Sequence, residues 1–278
     1  MAPQAAGLLA QLDLWRGAVE RRTGMAFGGT RARILAQAVA RRAESCGHAS
    51  DDAYRKQLLL RPDADPEWTR LVALLRNGDT RFFRDGPAFA ALVGHALPDL
   101  CERRRAEGVG KLSLWSAGCS TGQEAYSLAI ACLSLAVCNG FKIEVTGTDA
   151  SPDAVTRATA GVYRDHEAAT LPPAIAPKFF DKVGDRRRAS AELRRAVEFR
   201  ECDLLGAPPL PSNNDVVFCQ NVLVYYRPDA RAELLRRLTA ALAPGGYLFL
   251  GAAEAVGLPT PGLHLVRLQD TWIYRRAA

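Results

Sequence analysis

The chain has 278 residues, 48% of them hydrophobic and 24% charged, with a formal net charge of +6. This is the balance of a soluble globular protein able to bury a useful core, as one large domain or a small one joined to a larger one. It excludes a membrane-spanning helix, because no apolar run approaches the roughly 18–20 residues that one needs.

Residues 1–10 are apolar without a basic leading segment, so they do not read as a signal peptide, and a cytoplasmic location is expected. Up to about residue 76 the pattern is helical. Ile34, Leu35, Ala38 and Val39 share one face at helical spacing, and Arg31, Arg33, Arg41 and Arg42 ride beside them with no acid among them. Ser50 offers an N-cap before a helix to residue 60, and Pro62, Asp63, Asp65 and Pro66 mark a turn. Residues 67–76 then form another helix.

From about residue 111 strands alternate with helices. Leu112 to Trp115 is a strand, followed by a small-residue loop and a helix from about Gln123. Ile143 to Thr146 is the second strand, with Ser151 as N-cap and Pro152 in the first turn of the next helix. Val197 to Phe199, Asp215 to Cys219 and Tyr247 to Leu250 are further strands. A helix over residues 230–242 stops at Pro244-Gly245-Gly246, and residues 263–268 and 271–275 close the chain as a hairpin. This alternation predicts an α/β fold with a doubly wound parallel sheet. One stretch breaks it: residues 178–200 carry eight basic side chains, including Arg186-Arg187-Arg188, and read either as a solvated insertion or as a docking element on the rim of the sheet.

Cys46, Cys101, Cys119, Cys132, Cys138, Cys202 and Cys219 form no CxxC pair, and the four histidines form no HExxH. Reduced, buried thiols and no metal site are expected. The charge permits nucleic acid, an anionic membrane or an acidic protein as partner, but no arginine-rich tail or interleaved aromatic–basic stretch selects among them.

In an open α/β sheet the ligand binds beyond the carboxyl ends of the strands. The first strand ends in Ser116-Ala117-Gly118-Cys119-Ser120-Thr121-Gly122, where Gly118 and Gly122 let the backbone pass close to a cofactor. The loop is neither GxGxxG nor a P-loop, which suits a nucleoside better than a pyrophosphate. Asp149 stands just past the second strand, where a carboxylate can accept bonds from both ribose hydroxyls. Asp203 follows the third strand, Asn221 the fourth, and Glu124 opens the first helix after the loop, placed for the helix dipole or for the amino-acid end of a cofactor.

Four stretches together resemble the CheR-type chemotaxis receptor glutamate methyltransferases: Gly78-Asp79-Thr80-Arg81-Phe82-Phe83-Arg84-Asp85, residues 115–127, Thr148-Asp149-Ala150-Ser151 running on to Ala160-Gly161-Val162-Tyr163, and residues 217–226. The resemblance implies a seven-strand, Rossmann-like methyltransferase sheet in residues 77–278, an all-helical N-terminal domain in residues 1–76 that contacts the receptor, and a small inserted β-subdomain at about 178–200. It implies an S-adenosylmethionine site, with S-adenosylhomocysteine as product, lined by Thr80, Arg84, Glu124, Asp149, Asp203, Leu204, Asn221 and Val222. Gly78 and Gly118 are carried over with them, and Arg84 is implied to face the reacting methyl group with Tyr225 nearby. The partner implied is a methyl-accepting chemoreceptor, an acidic helical bundle, with no nucleic acid and no membrane insertion. The chain departs from the family pattern at Gly78, where Asn is common, at Gln123, at Ala252-Ala253, and at Asp203, which replaces a common Asn.

A sulfonium methyl donor is already activated and an acceptor glutamate is ionised near neutral pH, so no general base is required and alignment carries the reaction. Arg84 can hold the acceptor carboxylate by two contacts or can pair with Asp79 or Asp85; Phe82 and Phe83 read as core. The alternatives are a cofactor-binding regulatory module without turnover, a methyltransferase with a non-receptor acceptor, and, more distantly, a nicotinamide oxidoreductase. The motif expected for methylation of base amino groups is absent, since Asn221 is followed by Val222-Leu223-Val224.

Overall fold

A computed structural model of the chain describes residues 15–29, 31–62, 65–75, 78–206, 210–254, 261–268 and 270–277. The expectations attached to residues 1–10, Asp63, Arg76 and Asn77 lie outside those residues. Internal contacts separate two units: residues up to 77 with Tyr225–Arg231, and Gly78–Val224 with Ala232–Ala278.

The first unit contains helices α1 (residues 15–23), α2 (Arg31–Ser45), α3 (Asp51–Leu59) and α4 (Pro66–Leu75). Ser50 caps α3 as expected, its hydroxyl accepting from the N–H of Ala53 at 3.2 Å. The inner stripe of α2 is Leu35, Ala38, Val39 and Ala43, an i, i+3, i+4, i+8 pattern; Ile34 falls off that stripe and is exposed. Two of the four α2 arginines are not on a solvated face. Arg42 reaches the buried carboxylate of Glu67 on α4 with bonds of 2.7 and 2.8 Å, and the Tyr54 hydroxyl donates to the same carboxylate at 2.9 Å. Burial opposes the charge on Glu67, but the bonds from Arg42 and Tyr54 outweigh it and hold its carboxyl below the usual range. Arg31 donates to the carbonyls of Tyr225 and Leu75 and lies 4.6 Å over the Tyr225 ring. Only Arg33 and Arg41 of the four are exposed.

The second unit is built on a seven-stranded sheet. Its strands are β1 (Lys111–Ala117), β2 (Lys142–Asp149), β6 (Val197–Glu201), β7 (Asn214–Cys219), β8 (Leu242–Leu250), β9 (Leu263–Leu268) and β10 (Thr271–Arg276), in the order β6-β2-β1-β7-β8-β10-β9. The neighbours from β6 to β8 are all parallel, while β10 runs antiparallel to both β8 and β9. The chain moves outward from β1 through β2 to β6 and then returns to β7 on the other side of β1. That reversal of order opens a crevice at the carboxyl ends of β1 and its neighbours. The core is contiguous across the sheet and includes Leu112, Leu114, Val145, Val216, Phe218 and Phe249.

Crossover helices α7 (Gln123–Ser134) and α8 (Pro152–Ala160) follow β1 and β2, and α11 (Pro228–Ala241) leads into β8. Ser151 caps α8, accepting from Ala154 at 3.3 Å. The helix stops at Ala241, close to the expected stop, but Pro244-Gly245-Gly246 lies within β8, which begins at Leu242 and not at Tyr247. The pairing of β7 with β8 shifts between Asn214 and Val216. The backbones come so close there that a Cβ on Gly246 would lie 2.9 Å from the carbonyl oxygen of Asn214 and 3.0 Å from that of Asp215. The glycines therefore admit a bulged pairing here where the dipeptide signal reads as a stop.

The small inserted sheet starts earlier than the basic stretch suggests. It comprises β3 (Val162–Arg164), β4 (Phe180–Val183) and β5 (Arg186–Ala189), ordered β3-β5-β4 and antiparallel throughout. Val197–Glu201 belongs to the main sheet. Phe82 packs on the inserted sheet: it meets Tyr163 of β3 and Phe180 of β4 edge-on at 5.0 and 5.3 Å. All seven cysteines are free and six are buried; Cys46, expected inside, is exposed.

Gly122, the residue before α7, has φ of 95°, and a Cβ there would lie 2.9 Å from Ala158 Cβ and 3.0 Å from Phe199 and the Tyr163 hydroxyl. Gly122→Ala combines a left-handed conformation with overpacking and is expected to cost about 2–4 kcal/mol. A urea titration reads this as a lower midpoint at unchanged slope; an unchanged midpoint contradicts it.

Candidate active site

The loop after β1 turns sharply because three positions have positive φ: Gly118 at 82°, Ser120 at 49° and Gly122 at 95°. The N–H groups of Gly118 and Cys119 both bond the carbonyl of Thr148 at 2.8 Å, so the loop is pinned across the end of β2. A Cβ on Gly118 would fall 2.6 Å from a methyl of Val222, which brings the loops after β1 and β7 into direct contact.

Asp149 ends β2, and its carboxylate accepts from the N–H of Ser120 at 2.9 Å and of Ser151 at 2.9 Å. These bonds fix its orientation beside the Gly118 loop. Glu124 stands in the first turn of α7 and accepts from the Ser116 hydroxyl at 2.7 Å. Burial pushes its carboxyl up to about 7; the Ser116 bond and Arg84 oppose that shift, whereas Glu254 and Asp85 add to it. A carboxyl held near neutrality in this way gains its charge readily when a cation is brought beside it.

On the segment that leads into α5 (Gly86–Ala91), Phe82 and Phe83 pack inward, and the N–H of Phe83 donates to Ser127 at 3.0 Å. Thr80 and Arg84 are partly exposed. Arg84 bonds the carbonyl of Asp79 at 2.8 Å and lies 3.8 Å from its carboxylate, an exposed and therefore weak pair. Asp85 caps α5 through Ala88 and accepts from Gln220 at 3.0 Å, which ties this segment to the end of β7. Asn221 follows with φ of 58°.

Several contributors were not anticipated as site residues. Ser116 orients Glu124, Asp85 and Gln220 join two segments, and Glu254, only 5% exposed, bonds the Asn221 loop. Asp85 carried a signal, since Asp before Gly-Pro reads as an N-cap; Ser116 bonds Glu124 across the loop, and Gln220 and Glu254 act through partners distant in sequence. Gly78 is exposed, and its carbonyl accepts from the Ser120 hydroxyl at 3.2 Å. Asp203 is exposed with a carboxylate oxygen on the N–H of Leu205 at 3.1 Å, and Leu204 is buried. Tyr225 groups with the helical unit: its carbonyl accepts from Ala26 and Arg31. Among the described residues, no group of three or more His, Cys, Asp or Glu side chains is placed to hold a metal ion.

The family model described as CheR methyltransferase, SAM binding domain, matches residues 78–267. Chemotaxis protein methyltransferase 1 of Pseudomonas aeruginosa is 31% identical over 272 residues, covering 96% of this chain and 97% of the relative. Chemotaxis protein methyltransferase 1 of Vibrio cholerae is 32% identical over 209 residues, 73% of this chain and 74% of the relative. Magnesium protoporphyrin IX methyltransferase from Synechocystis PCC 6803, solved with bound SAM, is 16% identical at a TM-score of 0.35 over 73% of this chain and 87% of that one, too distant to carry an argument. The donor set suits S-adenosylmethionine: an oriented carboxylate for ribose hydroxyls at Asp149, and a partly buried carboxyl for an ammonium group at Glu124.

A carboxyl whose pKa is raised by folding binds its proton more tightly in the folded state. Its contribution is complete below the ordinary value near 4.5 and is lost as pH rises toward about 7. Glu124→Gln removes that loss, so without cofactor the variant is expected to gain about 2–3 kcal/mol relative to the native chain between pH 4 and pH 8. Denaturant midpoints at the two pH values measure it; a constant difference contradicts the assigned titration.

Proposed function

The chain belongs to the CheR methyltransferase family, and we propose that it transfers a methyl group from S-adenosylmethionine to glutamate side-chain carboxylates of a chemotaxis-type receptor. The observation that carries this reading is the convergence of Asp149, Glu124 and the Gly118 loop at the reversal of strand order, with Arg84 near enough to influence Glu124. A cytoplasmic location goes with this reading, and no helix among the described residues is long and apolar enough to cross a membrane.

When bound, S-adenosylmethionine supplies a methyl group already activated on a sulfonium sulfur. Asp149 would hold the ribose hydroxyls, and Glu124 would hold the amino group. Thr80, Asn221 and Val222 close the pocket, and Leu204 and Asp203 border the adenine end. Arg84, whose contact with Asp79 is weak, would give the acceptor carboxylate a two-point contact. The acceptor glutamate is ionised near neutral pH, so no side chain has to remove a proton. Alignment and exclusion of water then lower the barrier.

The helical unit provides the receptor contact in this reading. Arg33 and Arg41 offer the cations of α2 to an acidic helical bundle, while Arg31 and Arg42 serve the unit's own interior. The basic stretch around β5 is a second docking element.

Arg84→Ala is expected to lower receptor methylation at saturating cofactor about 100-fold or more with the fold kept and only a smaller loss of cofactor affinity, and Arg84→Lys not to restore it. Single-turnover methyl transfer with calorimetry of cofactor binding measures both; undiminished turnover removes Arg84 from the reaction. Charge reversal at Arg33 and Arg41 together is expected to slow methylation roughly 3–10-fold at low salt, without changing cofactor affinity. Equal rates for native and reversed chains place receptor docking elsewhere.

A further inference from the structure

We propose that Glu254 is a positioning residue for this reaction: its carboxylate fixes the Asn221–Val224 loop in the shape that receives the cofactor. The inference rests on the reading above and deepens it.

Glu254 lies just past β8 and is 5% exposed. One carboxylate oxygen accepts from the N–H of Asn221 at 2.8 Å and of Gly251 at 2.9 Å, and the other accepts from the N–H of Val224 at 3.1 Å. One side chain thus bonds both ends of the loop after β7 and the end of β8. The loop needs such a restraint. Asn221 sits at φ of 58°, a left-handed conformation that Asn tolerates but does not prefer. Val222, next in the chain, is the residue whose methyl lies against Gly118. A loop released at Asn221 and Val224 moves Val222 and changes the pocket wall opposite Asp149.

Gly251 belongs to the same device. A Cβ there would lie 2.5 Å from the Glu254 carboxylate oxygen and 3.3 Å from the N–H nitrogen of Asn221. Glycine at this position lets the carboxylate reach its three donors, and a methyl group would displace the carboxylate from them.

Two substitutions perturb the device differently. Glu254→Gln keeps the volume and one oxygen but turns an amide NH2 toward the N–H of Val224, donor against donor. Gly251→Ala leaves the glutamate in place and pushes its oxygen away. For both, S-adenosylmethionine is expected to bind about tenfold or more weakly by calorimetry, with kcat at saturating cofactor within about threefold of native. Hydrogen exchange on the full chain without cofactor is expected to quicken at Asn221 and Val224. The Ser120 amide, held by Asp149, should keep its native rate; a general loss of stability would quicken all three. Native binding matched by both variants overturns the assignment of Glu254 alone. A native chain that binds no S-adenosylmethionine overturns the functional reading.

Discussion

Two carboxylates, Asp149 and Glu254, hold the carboxyl end of the sheet by accepting hydrogen bonds from backbone N–H groups. Asp149 ties the loop after β1 to the start of α8, and Glu254 ties the loop after β7 to the end of β8. The two loops meet where Val222 packs against Gly118. Charge-assisted bonds of this kind are stronger than neutral ones, and buried N–H groups left without partners cost about 1–3 kcal/mol each. The crevice created by the strand order therefore has rigid walls on both sides of β1 before any cofactor arrives.

Electrostatics divides the labour among the acids. Asp149 faces backbone donors, whereas Glu124 is partly buried, accepts from one hydroxyl, and feels the charges of Glu254 and Asp85. That environment raises the Glu124 carboxyl to about 7, so its charge near neutral pH is responsive to the charge of what enters. Glu67 in the helical unit is the opposite case: Arg42 and Tyr54 satisfy it inside the unit, so it serves the fold rather than a ligand. Removing one partner of such a buried pair leaves an unmatched charge, a cost of about 3–5 kcal/mol.

Much of this was legible in the sequence because it is local. Short apolar runs alternating with helical segments marked the strands, and Ser50 and Ser151 marked the starts of their helices. The carboxylate at the end of β2 follows from strand position. The reading failed where the deciding partner is distant. Arg31 and Arg42 look like surface charge on a helix face, but their partners lie at Leu75, Tyr225 and Glu67. The three residues of β3 are too few to show a period, so the inserted sheet was expected only through the family resemblance, at about residues 178–200. Pro244-Gly245-Gly246 reads as a stop, yet the close approach of β7 and β8 requires glycine within a continuing strand. Glu254 gains its meaning only once β7 and β8 are side by side.

Incubating the chain with tritiated S-adenosylmethionine and membranes carrying chemoreceptors from the same cell tests the central claim most directly. The label on the receptor band is followed as methanol released in base. The account predicts label on the receptor that base removes, the behaviour of a carboxyl methyl ester. Cofactor binding without any transfer, or label that base does not release, contradicts it.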